Sequence, residues 1–163
     1  MNKQEILEEI KKTEEHLATM KKMLEDCEYE RWKPKKSEAY FYINSNGTIG
    51  QDWMTKEFST DETRYNFYNC FRTKEQAEAE AEKIHIRRML EDIARRLNKG
   101  EKIDWKMKSS KYHLCIDECG YIYSNACLSV KYQGTVYCLD KSFGDIAIQE
   151  IGEERLKKYL RGE

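Results

Sequence analysis

At 163 residues and 19.5 kDa, 39% hydrophobic and 36% charged, the chain is long enough for one ordinary domain or two very small ones, whose separate cores would be thin. Its 29 basic and 30 acidic side chains leave a net charge of −1, which excludes a global attraction for nucleic acid or an anionic membrane, and a single proline beside 11 tyrosines argues against disorder. No apolar run exceeds five residues and the first residues do not form a secretory leader, so we expect a soluble cytoplasmic protein with no membrane contact and free thiols at its six cysteines.

In chain order the first element is a helix. Ile6, Ile10, Thr13, Leu17, Met20, Leu24 and Cys27 recur at alternating steps of four and three, an a/d seam set among Lys and Glu. Two uses of this stripe are open: it packs on the protein's own sheet, or it joins copies of the chain, with Ile6, Ile10, Leu17, Met20 and Leu24 as the oligomerising residues. Residues 1–30 hold five basic and nine acidic groups, so the helix is an acidic handle and not a DNA arm. We divide the chain into this leader, 1–31, and two units, 32–100 and 101–163.

Trp32-Lys33-Pro34 ends the helix, because proline lacks an amide proton and disfavours helical geometry before it. Residues 39–43 read as a strand and Asn44-Ser45-Asn46-Gly47 as a hairpin turn returning through 48–53. Residues 63–71 read as a third strand. Thr73 to Gln76 has the form of a capping box, opening a helix to Leu97 that Asn98-Lys99-Gly100 stops. Its apolar stripe is Ala79, Ile86, Leu90, Ile93 and Leu97.

A shift of 73 positions places Trp32 on Trp105, Lys33 on Lys106, Lys35 on Lys108, Ser37 on Ser110, Ile43 on Ile116, Gly47 on Gly120 and Ile49 on Ile122. Chance would give about one such match, so we read a duplication. The second unit then has a strand at 112–116, a turn at Asp117 to Gly120, a hairpin joining 128–132 to 135–139 through Gln133-Gly134, and helices 142–151 and 153–160 split at Gly152. The fold class is α+β: a long amino-terminal helix followed by two β-β-β-α repeat units with antiparallel sheets.

Phe41 and Ile43 align with Leu114 and Ile116, apolar in both copies, whereas Tyr40 and Tyr42 align with His113 and Cys115. Since alternate strand residues point to opposite faces, the first set is expected to face the core and the second the other side. In the first unit that divergent face would present Tyr40 and Tyr42 near Trp53, Arg64 and Tyr65, with Lys35 and Lys36 at its edge. Aromatics among cations suit a nucleotide or a protein anchor, and they equally suit a second buried layer.

No nucleophile elbow, P-loop, dinucleotide fingerprint or zinc-protease motif occurs, and we expect neither catalysis nor a cofactor. His113 and Cys115 share a strand face at a spacing long for a dyad. Cys115, Cys119, Cys127 and Cys138 lack a Cys-x-x-Cys knuckle, so we assign no metal and read them as small hydrophobes.

Trp32-Lys33-Pro34, Tyr40-Phe41-Tyr42-Ile43, Gly47 and Asn69-Cys70-Phe71-Arg72-Thr73-Lys74-Glu75-Gln76-Ala77-Glu78 together resemble a group of small phage- and prophage-encoded proteins of Gram-positive bacteria that carry such a signature behind a coiled-coil leader. Tyr68 stands where that group usually has glycine. The resemblance implies an accessory viral product, and by analogy one that antagonises host defence, as anti-CRISPR inhibitors and immune-signal sponges do. The expected function is non-enzymatic, stoichiometric capture of a host defence protein or a nucleotide signal. The alternative is a nucleic-acid-binding phage regulator, weakened by only seven basic against five acidic residues over 31–72.

Overall fold

The structure is a computed structural model that describes residues 3–27, 31–55 and 59–162, with side chains described for 9–21, 31–55 and 60–162. It is α+β, with five helices and two antiparallel two-stranded sheets among the described residues. The chain divides into two units, residues 1–33 and 34–163. Among the described residues no helix is long and apolar enough to cross a membrane.

The first unit is helix α1, Lys3–Cys27. Its seam residues Ile10, Leu17 and Met20 are 49%, 53% and 58% exposed; the side chains of Ile6, Leu24 and Cys27 lie outside the described residues.

The second unit opens with a hairpin of β1, Ala39–Ile43, and β2, Ile49–Trp53, in the register Ala39↔Trp53 to Ile43↔Ile49. The Asn44 N–H donates to the Thr48 carbonyl (2.8 Å), and Gly47 takes φ 85°, which a Cβ would oppose. The expected strand at 63–71 is not formed. Its first four residues are helical: α2 spans Ser59–Asn66, with Asp61 and Glu62 in its first turn, where carboxylates offset the helix dipole. A single bridge, Phe41↔Phe71, is the one backbone pairing of 63–71 with the sheet among the described residues, with both bonds at 2.9 Å.

Helix α3, Lys74–Leu97, starts as the sequence indicates: Thr73 Oγ1 accepts from the Gln76 N–H, and the Gln76 side chain accepts from the Thr73 N–H, both at 3.3 Å. Its buried stripe begins at Ala77 and runs through Ile86, Leu90, Ile93 and Ala94; Ala79, expected on it, is exposed.

The second hairpin, β3 (Lys111–Ile116) and β4 (Ile122–Cys127), repeats the first in register at the same shift of 73, from Tyr112↔Ala126 to Ile116↔Ile122. The expected hairpin between 128–132 and 135–139 is absent. Residues 136–138 turn instead to β3, whose Tyr112 exchanges both backbone bonds with Cys138 (2.7 and 2.8 Å), and the Tyr137 hydroxyl accepts the Tyr132 N–H that a ladder would have used. Helices α4 (Phe143–Ile151) and α5 (Glu153–Arg161) follow, separated by Gly152 at φ 96°.

The core gathers Ile86, Leu90 and Ile93 of α3, Leu114 of β3, Cys138, Phe143, Ala147 and Ile151 of α4, and Leu156 of α5. It lies in the second half of the chain, and α3 as a whole packs on the first hairpin as well as on α4 and α5. Leu114 joins the core as expected, but the opposite face is buried as well: Tyr40 is fully buried and His113 is buried, while Phe41, Ile43 and Ile116 are half-buried.

Candidate functional site

Tyr40 is buried because α2 brings it partners. Its hydroxyl donates to Asp61 Oδ1 (2.7 Å) and accepts from Arg64 Nη1 (2.8 Å), which also donates to Asp52 Oδ2 on β2 (2.8 Å). Asp61 is 3% exposed, and its other oxygen accepts from the backbone and the hydroxyl of Thr55 (2.9 and 2.8 Å). One guanidinium, two carboxylates and a phenol thus close a network in which each charge is paired and hydrogen-bonded, as burial requires.

The Arg64 guanidinium also lies over the Tyr42 ring, 3.5 Å from its centroid. Gly50, the cross-strand partner of Tyr42, makes room for the ring: a Cβ there would come within 2.7 Å of Tyr42 Cε1. Burial pushes the Tyr40 hydroxyl well above the usual phenol range, aided by its bond to Asp61, so it stays neutral. Burial would raise the Asp61 carboxyl, but the donors Tyr40 and Thr55 and the charge of Arg64 outweigh it and hold the group below its ordinary value.

The structure therefore divides the residues expected on the binding face. Tyr40, Tyr42 and Arg64 are drawn together, and they form an internal clasp that fastens α2 to the hairpin; Tyr40, with no exposed surface, cannot be the contact residue expected from the sequence. Tyr65 is half-buried. Trp53 is 55% exposed, and Lys35 and Lys36 are exposed on the loop leading into β1, where the Ser37 N–H donates to the Met54 carbonyl.

At the other end of the hairpin lies a feature the sequence reading missed. Asn69 pairs with the end of β1 through its side chain, accepting from the Ile43 N–H and donating to the Ile43 carbonyl, both at 2.8 Å. This pins the turn before it, where Tyr68 has φ 60° and Phe67 and Tyr68 stand 79% and 74% exposed. They border an open groove of about 530 Å³ with Ile43, Ile84, His85 and Arg88. Its signal in the sequence was the expectation of glycine, the residue that takes positive φ without strain, at the place of Tyr68.

In the second hairpin the equivalent face is packed differently. Lys111 is fully buried, and its ammonium donates to the carbonyls of Met107 (2.6 Å), Ser109 and Leu128 (3.0 Å each), 5.4 Å from the Trp105 ring centroid. His113 lies between Tyr132 and Tyr137, with ring centroids 5.8 and 5.3 Å away, and its buried Nδ1 meets no hydrogen-bond partner, Cys115 included, among the described residues. Burial lowers its pKa. Cys115, Cys119, Cys127 and Cys138 are free thiols, and among the described residues no three His, Cys, Asp or Glu side chains gather as metal ligands would.

Comparison of the chain with models of known protein families, with curated proteins and with solved structures gives no match.

Proposed function

We propose that the chain is a non-enzymatic accessory protein of phage or prophage origin that disables a host defence protein in the cytoplasm by stoichiometric capture, through the groove beside Phe67 and Tyr68. The observation that carries this reading is the exposure of two adjacent aromatics at a backbone angle that costs a tyrosine about 1–2 kcal/mol. Aromatic side chains held out at the rim of a groove supply large contact area with few rotatable bonds, which is why they concentrate at protein interfaces. The phage origin rests on the sequence resemblance alone.

A protein partner is favoured over a nucleotide signal because the groove's guanidinium, Arg88, already bonds Glu91 at 3.0 Å, while Glu80 adds negative charge to the lining. The same pairing along α3, Arg87 with Glu91 and Arg95 and Arg96 with Asp92, weakens the case for a nucleic-acid surface. We also read each half as a β-β-β-α unit whose third strand is reduced to one bridge, Phe41↔Phe71 in the first and Tyr112↔Cys138 in the second, a reading supported by the shared hairpin register.

The test is phage plating on hosts that carry single defined defence systems. Expression of the chain should restore plaque formation on one of them in proportion to its level, and the double variant Phe67→Ala/Tyr68→Ala should lose this while unfolding at an unchanged temperature. Full protection by that variant removes the surface assignment. Protection that persists when the defence protein is in large excess over the chain removes capture as the mechanism.

A further inference from the structure

Helix α1 forms a unit of its own, and Ile10, Leu17 and Met20 stand half-exposed along one stripe of it. In proteins most of a helix's stability comes from packing of its amphipathic face and not from intrinsic propensity, so a cover over the stripe would stabilise this 25-residue helix. A second copy of α1 carries apolar residues at the same alternation of three and four, and so fits this stripe.

The charges beside the seam then decide the orientation. Ile10 and Leu17 occupy a positions and Thr13 and Met20 d positions, which places Glu14 and Lys21 at e and Glu9 and His16 at g. In a parallel pair each g residue meets the following e residue of the other helix. Glu9 would then face Glu14 and His16 would face Lys21, each contact made twice by symmetry.

In an antiparallel pair e faces e. The register that sets Leu17 against the partner's Met20 also sets Glu14 against the partner's Lys21, twice, and every charge contact among these residues is then attractive. The neighbouring antiparallel register, with Thr13 against the partner's Leu17, brings Glu14 onto its own copy.

We infer that α1 pairs antiparallel with α1 of a second copy, Leu17 packing on the partner's Met20 and Glu14 bonding the partner's Lys21. In this register position 27 lies level with position 10 of the other helix, so at 1.5 Å per residue the two chains leave the rod about 25 Å apart, against about 10 Å for a parallel pair. The inference is independent of what the groove binds.

The experiment is sedimentation equilibrium of the full chain under reducing conditions, for the wild type, Glu14→Lys, Lys21→Glu and the double variant. All of these changes lie on the helix surface. The wild type should be a dimer, each single substitution should weaken it roughly tenfold by turning two attractions into two repulsions, and the double variant should recover the wild-type affinity.

A parallel pair would respond with the opposite sign, since the ammonium introduced by Glu14→Lys would meet Glu9 and the carboxylate introduced by Lys21→Glu would meet His16; tightening by either single substitution overturns the orientation. Unchanged affinity in Lys21→Glu, or no recovery in the double variant, overturns the register. A wild type that stays monomeric at about 100 µM overturns the pairing itself.

Discussion

Replacing Tyr40 with phenylalanine asks whether the clasp between β1 and α2 is a fastening or a binding site. The ring and its burial are kept, and only the hydroxyl that bridges Arg64 to Asp61 is removed. Each of the two lost bonds involves a charged group, worth about 1.5–3 kcal/mol in general. Asp61 keeps both Thr55 donors and Arg64 keeps Asp52, so the losses do not simply add, and we expect destabilisation by about 2–3 kcal/mol. For a chain of this size that lowers the unfolding temperature by about 5–10 °C.

Urea unfolding, followed by the fluorescence of Trp53 and the other tryptophans and by calorimetry, measures the loss. An unchanged m-value would localise it to the native contacts. The same substitution removes a donor that lowers the Asp61 pKa. Stability from this group is present above its unfolded pKa near 3.8 and is lost as pH falls through the folded value, so the acid transition of the variant should begin at higher pH than that of the wild type. Phage protection at 25–30 °C should persist. A variant that loses less than about 0.5 kcal/mol and yet loses protection would refute this reasoning, because Tyr40 would then act on a partner.

Gly50→Ala has an ordinary backbone angle to occupy, so its effect is steric: the new Cβ displaces the Tyr42 ring from beneath Arg64, and urea unfolding should show a loss of about 1–3 kcal/mol. Tyr68→Gly should do the reverse, raising stability by about 0.5–1 kcal/mol through relief of the positive φ while abolishing phage protection. His113 is held neutral by burial, so folding loses stability as pH falls through its unfolded pKa of about 6.5 toward the lower folded value. His113→Phe, which keeps the ring among Tyr132 and Tyr137, should flatten the pH dependence of the unfolding temperature in that window.

Signals carried by neighbours in sequence were legible. The capping box at Thr73, the turn at Asn44 to Gly47, the stop at Asn98 to Gly100 and the break at Gly152 all stand where the residues place them. The misreadings came where distant groups chose between local options. Residues 63–71 alternate aromatics as a strand would, but helical geometry lets Asp61 and Arg64 reach Tyr40 together, and the two bonds at Phe71 satisfy β1 without a full third strand. Residues 128–132 have strand composition, but the Leu128 carbonyl is taken by Lys111 and the Tyr132 N–H by Tyr137. The face of Tyr40 was misassigned for the same reason: alternation sorts side chains by face, and it does not say that a helix will cover both.

The shared register of the two hairpins is accompanied by an exchange in one cross-strand pair. Tyr42 faces Gly50 in the first hairpin, and at the aligned positions Cys115 faces Tyr123 in the second, so the large and small members have changed strands while the identical pair Ile43↔Ile49 and Ile116↔Ile122 keeps the register beside them. The connections leaving the two hairpins differ in length. The bridge at Phe71 lies eighteen positions after Trp53, but the bridge at Cys138 lies only twelve after the aligned Ala126. The shorter connection has no helix corresponding to α2, and with it go the counterparts of Asp61 and Arg64; His113, at the position of Tyr40, is left packed on aromatic rings with its Nδ1 unpaired among the described residues. The longer connection is also the segment that carries Phe67 and Tyr68. The clasp and the exposed aromatics are therefore parts of one connection: the network at Tyr40 anchors its start, Asn69 anchors its end on β1, and between these fixed points the chain can hold Tyr68 at an angle it would otherwise leave.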